Sequence, residues 1–429
     1  MPPDSIVLCY HERVMEESEL CEAARSQLAA NLQRGISPWT NQPYSFTWPS
    51  TQTYPYQWFW DSCFHAIVWT HLDMEQAKEE LRTLLRAQRA DGHIPHRIAW
   101  ERMAAYPYRF YLHSRSMRNP WRSELVQPAV LAIAVEEVHA RSGDDAFLAE
   151  VLPGVAKFYR WLAEQRDPDR DGLISIIHPY ESGIDHKPAY DVVYGLKGGR
   201  PTPAVLACRS LDVVNRACNY NLGLIFRLDR FSVEDVLVNC IYAQGLAALA
   251  RLLRRRGEMD EADAFARQSE LVEQAILTKC RAGDGLFYDL YSRHEKMARV
   301  KTMTSLFPLI LDSIDRPTAE RLVRDHLLNP GEFWLPYPVP TVARDEPAFS
   351  ATFRSPLASG YWRGPTWVCI NWFLARGLRK HGFTEEAAHI AEKTKELVLR
   401  GGFREFYNPF TGKPLGARGF SWSTLVLDM

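Results

Sequence analysis

From residue 15 to about 31, Leu20, Ala23, Ala24, Leu28 and Ala29 recur near a 3.6-residue period, which predicts an amphipathic helix. The same spacing predicts helices over 60–71 and 75–89, the second ending at Asp91-Gly92. Residues 39–60 hold too much Pro and Thr for a helix. After an aperiodic segment, 93–122, helices are expected over 123–140 and 145–166, the latter broken at Pro153-Gly154, and over 204–219. A long one starts near Glu234, where Val236, Leu237, Cys240, Ile241, Leu246, Leu249 and Leu253 form a wide apolar face. Another spans 260–279. Shorter helices over 305–313 and 318–328 lead into a Pro- and aromatic-rich loop, 329–364. Pro365 then opens a helix to about Lys380, and Thr384 offers an N-cap to the last one. Asp-Gly turns recur after charged helices at 91–92, 171–172 and 284–285. The pattern reads as all-α, a closed ring of helical hairpins rather than an open solenoid. No Ser/Gly-rich linker divides it, so residues 1–429 are expected to form one domain, with loops 93–122 and 329–361 as cap elements.

Composition narrows the class. The chain is 46% hydrophobic, ample for a large core, and 12% aromatic with 13 Trp. Trp and Tyr join a flat apolar face to a polar tip, which suits both core packing and sugar binding. The net charge of -1 excludes a nucleic-acid partner, which needs a basic excess. The eight cysteines (Cys9, Cys21, Cys63, Cys208, Cys218, Cys240, Cys280 and Cys369) form no CxxC pair and sit mostly in helical apolar patterns. That is the usage of buried free thiols in a reducing compartment. Met1-Pro2-Pro3-Asp4 does not begin a signal peptide, and no apolar run nears ~20 residues. A cytoplasmic protein without a membrane partner is expected; homo-oligomerisation stays open.

Two acids stand in aromatic-rich turns. Asp185 ends Tyr180-Glu181-Ser182-Gly183-Ile184-Asp185, and Glu405 sits in Phe403-Arg404-Glu405-Phe406-Tyr407-Asn408-Pro409. A general acid must stay protonated, so it needs an apolar or like-charged neighbourhood, which Tyr180, Ile184 and Glu181 would supply. A carboxylate that holds a water needs orienting groups, here Arg404 and Asn408. The structural alternatives are a turn or cap for Asp185, a surface salt bridge for Glu181, and pairing of Glu405 with Arg404 or Arg400. Asp61, between Trp60 and Phe64, is either a ligand for adjacent sugar hydroxyls or an N-cap among core rings. Trp362, Arg363 and Trp367 are candidates for a pocket at a helix end. His93-x-x-His96 contains Pro95 and lacks a partner at ligand spacing, so no zinc is expected. No nucleophile elbow, Walker loop or dinucleotide fingerprint appears, and no cofactor is expected. The segment 93–122 carries many cations against one acid, Glu101; the alternatives are a solvated loop or a surface that meets an anionic group on the substrate.

Taken in order, Trp60-Asp61-Ser62, Glu181 to Asp185, Tyr361-Trp362-Arg363-Gly364-Pro365-Thr366-Trp367, Glu405 to Gly412 and Phe420-Ser421-Trp422-Ser423 resemble glycoside hydrolase family 63. The length is most similar to its small bacterial members, the mannosylglycerate and glucosylglycerate hydrolases. The resemblance implies an (α/α)6 barrel and hydrolysis of an α-glycosidic bond with inversion, on a small carbohydrate substrate. It implies Asp185 as general acid and Glu405 as general base. Trp60, Asp61, Gln127, Tyr361, Trp362, Arg363, Gly364, Trp367 and Trp422 would shape the sugar pocket, with Tyr56, Tyr180 and Gly183 beside them. Arg216 resembles a position that reaches the aglycone. The chain departs from the pattern where His186-Lys187-Pro188-Ala189-Tyr190-Asp191 follows Asp185, which bears on the aglycone. The rivals are α-glucoside hydrolysis of neutral sugars, an epimerase or lyase using His65, His96 or Tyr106, and a non-catalytic sugar-binding protein; fold alone does not decide.

Overall fold

Helices joined by two to four residues have no choice but to run antiparallel. Four such hairpins organise the chain: Phe59–Trp69 with Met74–Arg86, Leu131–Ser142 with Asp145–Arg166, Val236–Arg255 with Met259–Lys279, and Val368–Lys380 with Thr384–Gly401. The computed structural model describes residues 15–103, 106–196, 201–352 and 361–429. Cys9 and the stretches 104–105 and 353–360 of the two expected cap loops lie outside the described residues. Asp73, Asp144 and Asp235 cap their helices by accepting first-turn N–H groups.

The first helix of each hairpin is the more apolar, and every residue of Phe59–Trp69 is buried. These four helices pack in sequence with two 3-10 segments, Met303–Ile310 and Ser421–Asp428. The order of contact is Phe59–Trp69, Leu131–Ser142, Val236–Arg255, Met303–Ile310, Val368–Lys380, Ser421–Asp428, and back to Phe59–Trp69. One apolar core runs through them from Leu20 to Val426. Val236–Arg255 is long and apolar enough to cross a membrane by composition, which departs from the expectation that no such run exists. Its apolar window is 83% buried against neighbouring helices, so packing accounts for its composition. Among the described residues the cysteines are free, and Cys63, Cys208, Cys240, Cys280 and Cys369 are buried.

The three Asp-Gly turns are equivalent. Gly92, Gly172 and Gly285 take φ of +108°, +97° and +94°. In each, the Asp carboxylate accepts the N–H two residues on, at 3.2, 2.8 and 3.2 Å.

Several expected boundaries move. Residues 123–130 are not helical: the Ser123 N–H donates to the Arg97 carbonyl and the His96 N–H to the Leu125 carbonyl, pinning the start of the segment beside the strand Arg97–Ile98. Asp145–Arg166 continues through Pro153; beside it Gln88 donates to the Gly154 carbonyl at 2.8 Å, and Leu85 packs against Gly154. Pro365 lies before the helix rather than in its first turn, in an extended stretch whose Thr366 pairs with Tyr407. Thr384 is the first helical residue and makes no cap bond, Phe383 standing at the N-cap. The sequence pattern also hides short strands: Leu32–Ile36 pairs with Pro43–Thr47, and Arg404–Tyr407, which carries Glu405, pairs with Pro414–Arg418.

Candidate active site

Asp185 and Glu405, 220 positions apart, line the same cavity of about 80 Å³. Asp61, Trp60, Gln127, Gly183, Tyr361, Trp362, Trp367 and Trp422 line it with them. The cavity lies where the first helices of two hairpins begin. Asp61 is in the first turn of Phe59–Trp69, and Trp367 is the N-cap of Val368–Lys380. Thr366 and Tyr407 exchange two backbone hydrogen bonds, 2.9 and 3.0 Å, which fasten the Trp362–Trp367 stretch to the Glu405 strand. Trp362 stacks on Trp367 at 3.7 Å, and Trp367 stacks on Phe406 and meets Trp422 edge-on.

Asp185 is aimed by a tight turn. His178 caps the 3-10 turn Pro179–Ser182, and Gly183 follows with φ +70°. A Cβ at Gly183 would lie 2.4 Å from Trp60 Cζ2, so both the conformation and the contact require glycine. Gly183→Ala is therefore expected to lower stability by about 2–4 kcal/mol, combining overpacking with left-handed strain. Chemical denaturation checks this, and a loss under about 0.5 kcal/mol would show that the turn relaxes freely.

Glu405 accepts from Tyr54 Oη at 2.8 Å and from the Ala417 N–H at 2.9 Å. Burial nevertheless pushes its carboxyl up to about 7. Burial pushes Asp185 up to about 6 and Asp61 up to about 8. The charges of Glu405 and Asp185 add to the rise at Asp61. Groups this closely linked titrate as a set, and near neutral pH the Asp185–Glu405 pair carries one proton. The indole N–H groups of Trp58 and Trp422, both lining the cavity, are buried without a hydrogen-bond partner among the described residues. They are donors available to a polar ligand.

Tyr54, Trp58, Pro49 and Phe420 complete the lining; Phe420 opens the Phe420–Ser423 motif and Trp58 precedes Trp60-Asp61, whereas Tyr54 and Pro49 were not singled out in the sequence. The Trp39–Trp60 stretch signalled only an aromatic loop. Five expected residues are placed otherwise. Tyr56 lines a second, aromatic cavity of about 210 Å³ and packs edge-on against Phe110. Tyr180 packs on His178 at 4.5 Å. Arg216 bonds Asn219 on the helix Pro201–Ala217. Arg363 is buried and binds Asp191 through two contacts of 2.7 and 2.8 Å. Gly364, at φ +155°, brings the backbone against the Ser350 carbonyl and donates to Thr341. Glu181 does not face Asp185 as a second charge, nor does it lie on the surface. It is fully buried, paired with Arg166, and accepts from Val126 and Ile177 N–H. His65 and His96 are fully enclosed against Ser421 and Ser123, and neither they nor Tyr106 line the cavity.

The residues after Asp185 are structural. Lys187 is buried between Asp235 and Asp289, and Tyr190 donates to Asp235. Behind Tyr180, His113 and His178 both contact one oxygen of Asp212, at 2.7 and 3.0 Å. Burial pushes Asp212 up, but the two histidines hold it below the usual carboxylate range. This cluster has the residue types for a metal, yet His178 Nδ1 accepts the Tyr180 N–H. Its Nε2 therefore carries the proton donated to Asp212. A metal-bound imidazole needs the reverse arrangement, its remote nitrogen donating.

A family model described as the mannosylglycerate hydrolase MGH1-like glycoside hydrolase domain matches residues 54–423. The chain is 32% identical over 418 residues to a mannosylglycerate hydrolase of Thermus thermophilus, covering 90% of this chain and 96% of that one. It is 28% identical to a glucosylglycerate hydrolase of Mycolicibacterium hassiacum, covering 93% and 96%. A crystal structure of the family 63 mannosylglycerate hydrolase of Thermus thermophilus with Tris and D-glycerate is similar at TM-score 0.80 and 29% identity. It covers 96% of this chain and 100% of that one. Neutral trehalase of Saccharomyces cerevisiae, at 15% identity and TM-score 0.59, shares the fold.

Proposed function

The chain belongs to the mannosylglycerate hydrolase MGH1-like glycoside hydrolases, and from that premise we propose an inverting α-glycosidase acting on a small α-mannoside or α-glucoside of glycerate. The observation that carries this reading is the meeting of Asp185 and Glu405 in one buried, aromatic-walled cavity. Asp185 gives its proton to the leaving oxygen. Glu405 takes a proton from water attacking the opposite face of the anomeric carbon, which requires the two carboxyls to stand about 6.5–9.5 Å apart. The productive one-proton form of the pair carries its proton on Asp185, and the donors from Tyr54 and Ala417 support the charge on Glu405 in that form. Asp61 and the indole N–H groups of Trp58 and Trp422 hold sugar hydroxyls while the Trp faces cover apolar ring surface.

The cyclic helix contacts support an (α/α)6 barrel, with residues 1–429 as one catalytic domain. The loops 93–122 and 329–361 serve as its cap; Tyr361, at the end of the second, lines the cavity.

The anionic aglycone is read by the first loop. Arg97 and Arg109 have no carboxylate partner among the described residues. Arg97 lies over Phe110 at 3.7 Å and Arg109 over Tyr180 at 5.6 Å. The Arg109 charge acts on both Asp185 and Tyr361. Arg109→Gln is expected to raise KM for glucosylglycerate or mannosylglycerate about 10-fold, the value of one charge-assisted contact. The kcat/KM on a neutral α-disaccharide should change less than about twofold. Equal losses on both substrates would remove Arg109 from aglycone recognition. Reaction identity is tested by proton NMR of early product: hydrolysis with inversion releases the β-anomer. Release of the α-anomer, an isomerised sugar or a new double bond would each sink the reading.

A further inference from the structure

Asp212 is a fully buried acid on the helix Pro201–Ala217, outside the lining of the cavity that holds Asp185 and Glu405. Its Oδ1 accepts from His178 Nε2 at 3.0 Å and from His113 Nε2 at 2.7 Å. A buried carboxylate with polar partners is often no more stable than packed apolar side chains of the same volume. Stability is therefore a weak reason for it to be here.

What the carboxylate fixes is a tautomer. A neutral imidazole has one N–H and one bare nitrogen, and its partners decide which is which. An ionised carboxylate only accepts, so Asp212 holds the His178 proton on Nε2 and leaves Nδ1 bare. Nδ1 is the atom that accepts the Tyr180 N–H, at 3.2 Å, where the 3-10 turn Pro179–Ser182 begins. Gly183 closes that turn, two residues before Asp185. The same helix holds the chain at two further points. Asn215 Nδ2 donates to the Ile177 carbonyl at 3.0 Å, and Cys208 Sγ stands 3.7 Å from His178 Nε2. Positions 208, 212 and 215 share one helix face, so one rigid surface grips residues 177 and 178 just ahead of the turn. The rings of His178 and His113 in turn lie against Tyr180, with centroids 4.5 and 5.7 Å away.

We propose that Asp212, acting through His178, is a positioning residue for the general acid. It keeps Nδ1 bare, Nδ1 holds the Tyr180 N–H, and the turn so fixed presents Asp185 to the leaving oxygen. This rests on the glycosidase reading, in which Asp185 is that acid. Asp212 itself exchanges no proton with the substrate.

The test measures full-length variants on a glycerate glycoside, whose leaving oxygen needs a proton, and on the α-glycosyl fluoride of the same sugar, which does not. In Asp212→Asn an amide N–H can face His178 and draw the ring proton to Nδ1, against the Tyr180 N–H. Its kcat on the glycoside should fall about 10- to 100-fold, the cost of a misplaced reacting group, with KM changed less than about threefold. The rate on the fluoride should fall less than about threefold, since no proton is delivered to it. His178→Asn keeps an acceptor at the cap, whereas His178→Phe keeps a ring without one; Asp212 retains His113 in both. The glycoside kcat of His178→Phe should lie at least about 10-fold below that of His178→Asn, and this pair decides the matter if Asp212→Asn fails to fold. Wild-type turnover of the glycoside by Asp212→Asn or His178→Phe would overturn the role, as would equal losses on both substrates. Asp185→Asn is run beside them. Selective loss confined to Asp185→Asn overturns the positioning role alone, whereas equal losses there too remove the acid and the role with it.

Discussion

Asp185→Asn is expected to lower kcat on a glycerate glycoside about 10²- to 10⁴-fold, the range over which a positioned proton donor contributes. The loss should depend on the leaving group. An α-glycosyl fluoride departs without protonation, so the variant should lose far less on it, about 10-fold or under. Nothing in the packing opposes the change: Asp185 lines the cavity, and the backbone turn that aims it is set by His178 and Gly183. Tm and circular dichroism should match wild type. Steady-state rates on the two substrates decide the role. Retention of more than about a tenth of wild-type turnover on the natural glycoside would remove Asp185 as the acid. Equal losses on both substrates would make it a binding group instead.

The Asp185 turn was legible in the sequence because Pro179 and Gly183 mark where the chain must bend, and local chemistry decides the rest. Local periodicity likewise showed the long helices, since each hairpin buries one apolar face and the Asp-Gly turns carry their own signature. What the sequence hid depends on contacts between distant residues. Glu405 reads as a loop residue because its strand has four residues and its partner, Pro414–Arg418, only five. Arg363 looks like a pocket cation until Asp191, 172 positions earlier, takes both arms of its guanidinium. Glu181 looks like a neighbour able to raise Asp185, yet Arg166 and two backbone N–H groups hold it in the opposite role, and burial alone lifts the acid. Tyr54 gives no local hint, because what distinguishes it is a hydroxyl placed against Glu405 across 351 positions. Charge composition marked the basic loop as a whole. Which of its cations keep no carboxylate partner is visible only once Glu124 is seen with Arg89 and Arg115.

Glu405→Gln should abolish turnover and at the same time stabilise the protein in alkali. Loss of the base removes about 10²- to 10⁴-fold in kcat, and a glycosyl fluoride should not rescue it, because activation of water is missing for every leaving group. The pH behaviour follows from the direction of the shift. Burial raises the carboxyl from 4.5 to about 7, so folding favours the protonated form. The stabilisation from that preference is fully present below the unfolded value and is lost as pH rises through about 7. At higher pH the wild type holds a desolvated charge that the amide variant lacks, and a shift of this size corresponds to roughly 3 kcal/mol at most. The amide still accepts the Ala417 N–H through its oxygen and donates to Tyr54, so neither polar neighbour is orphaned. The Tm difference between variant and wild type should therefore be small at pH 5 and grow in the variant's favour toward pH 9. Wild-type kcat/KM should peak near pH 6.5, between apparent values of about 6 and 7, where the Asp185–Glu405 pair holds one proton. A Tm difference that stays flat across this range, or favours wild type at high pH, would mean that the Glu405 carboxyl is not desolvated. The pH dependence assigned to the catalytic pair would then have to come from elsewhere.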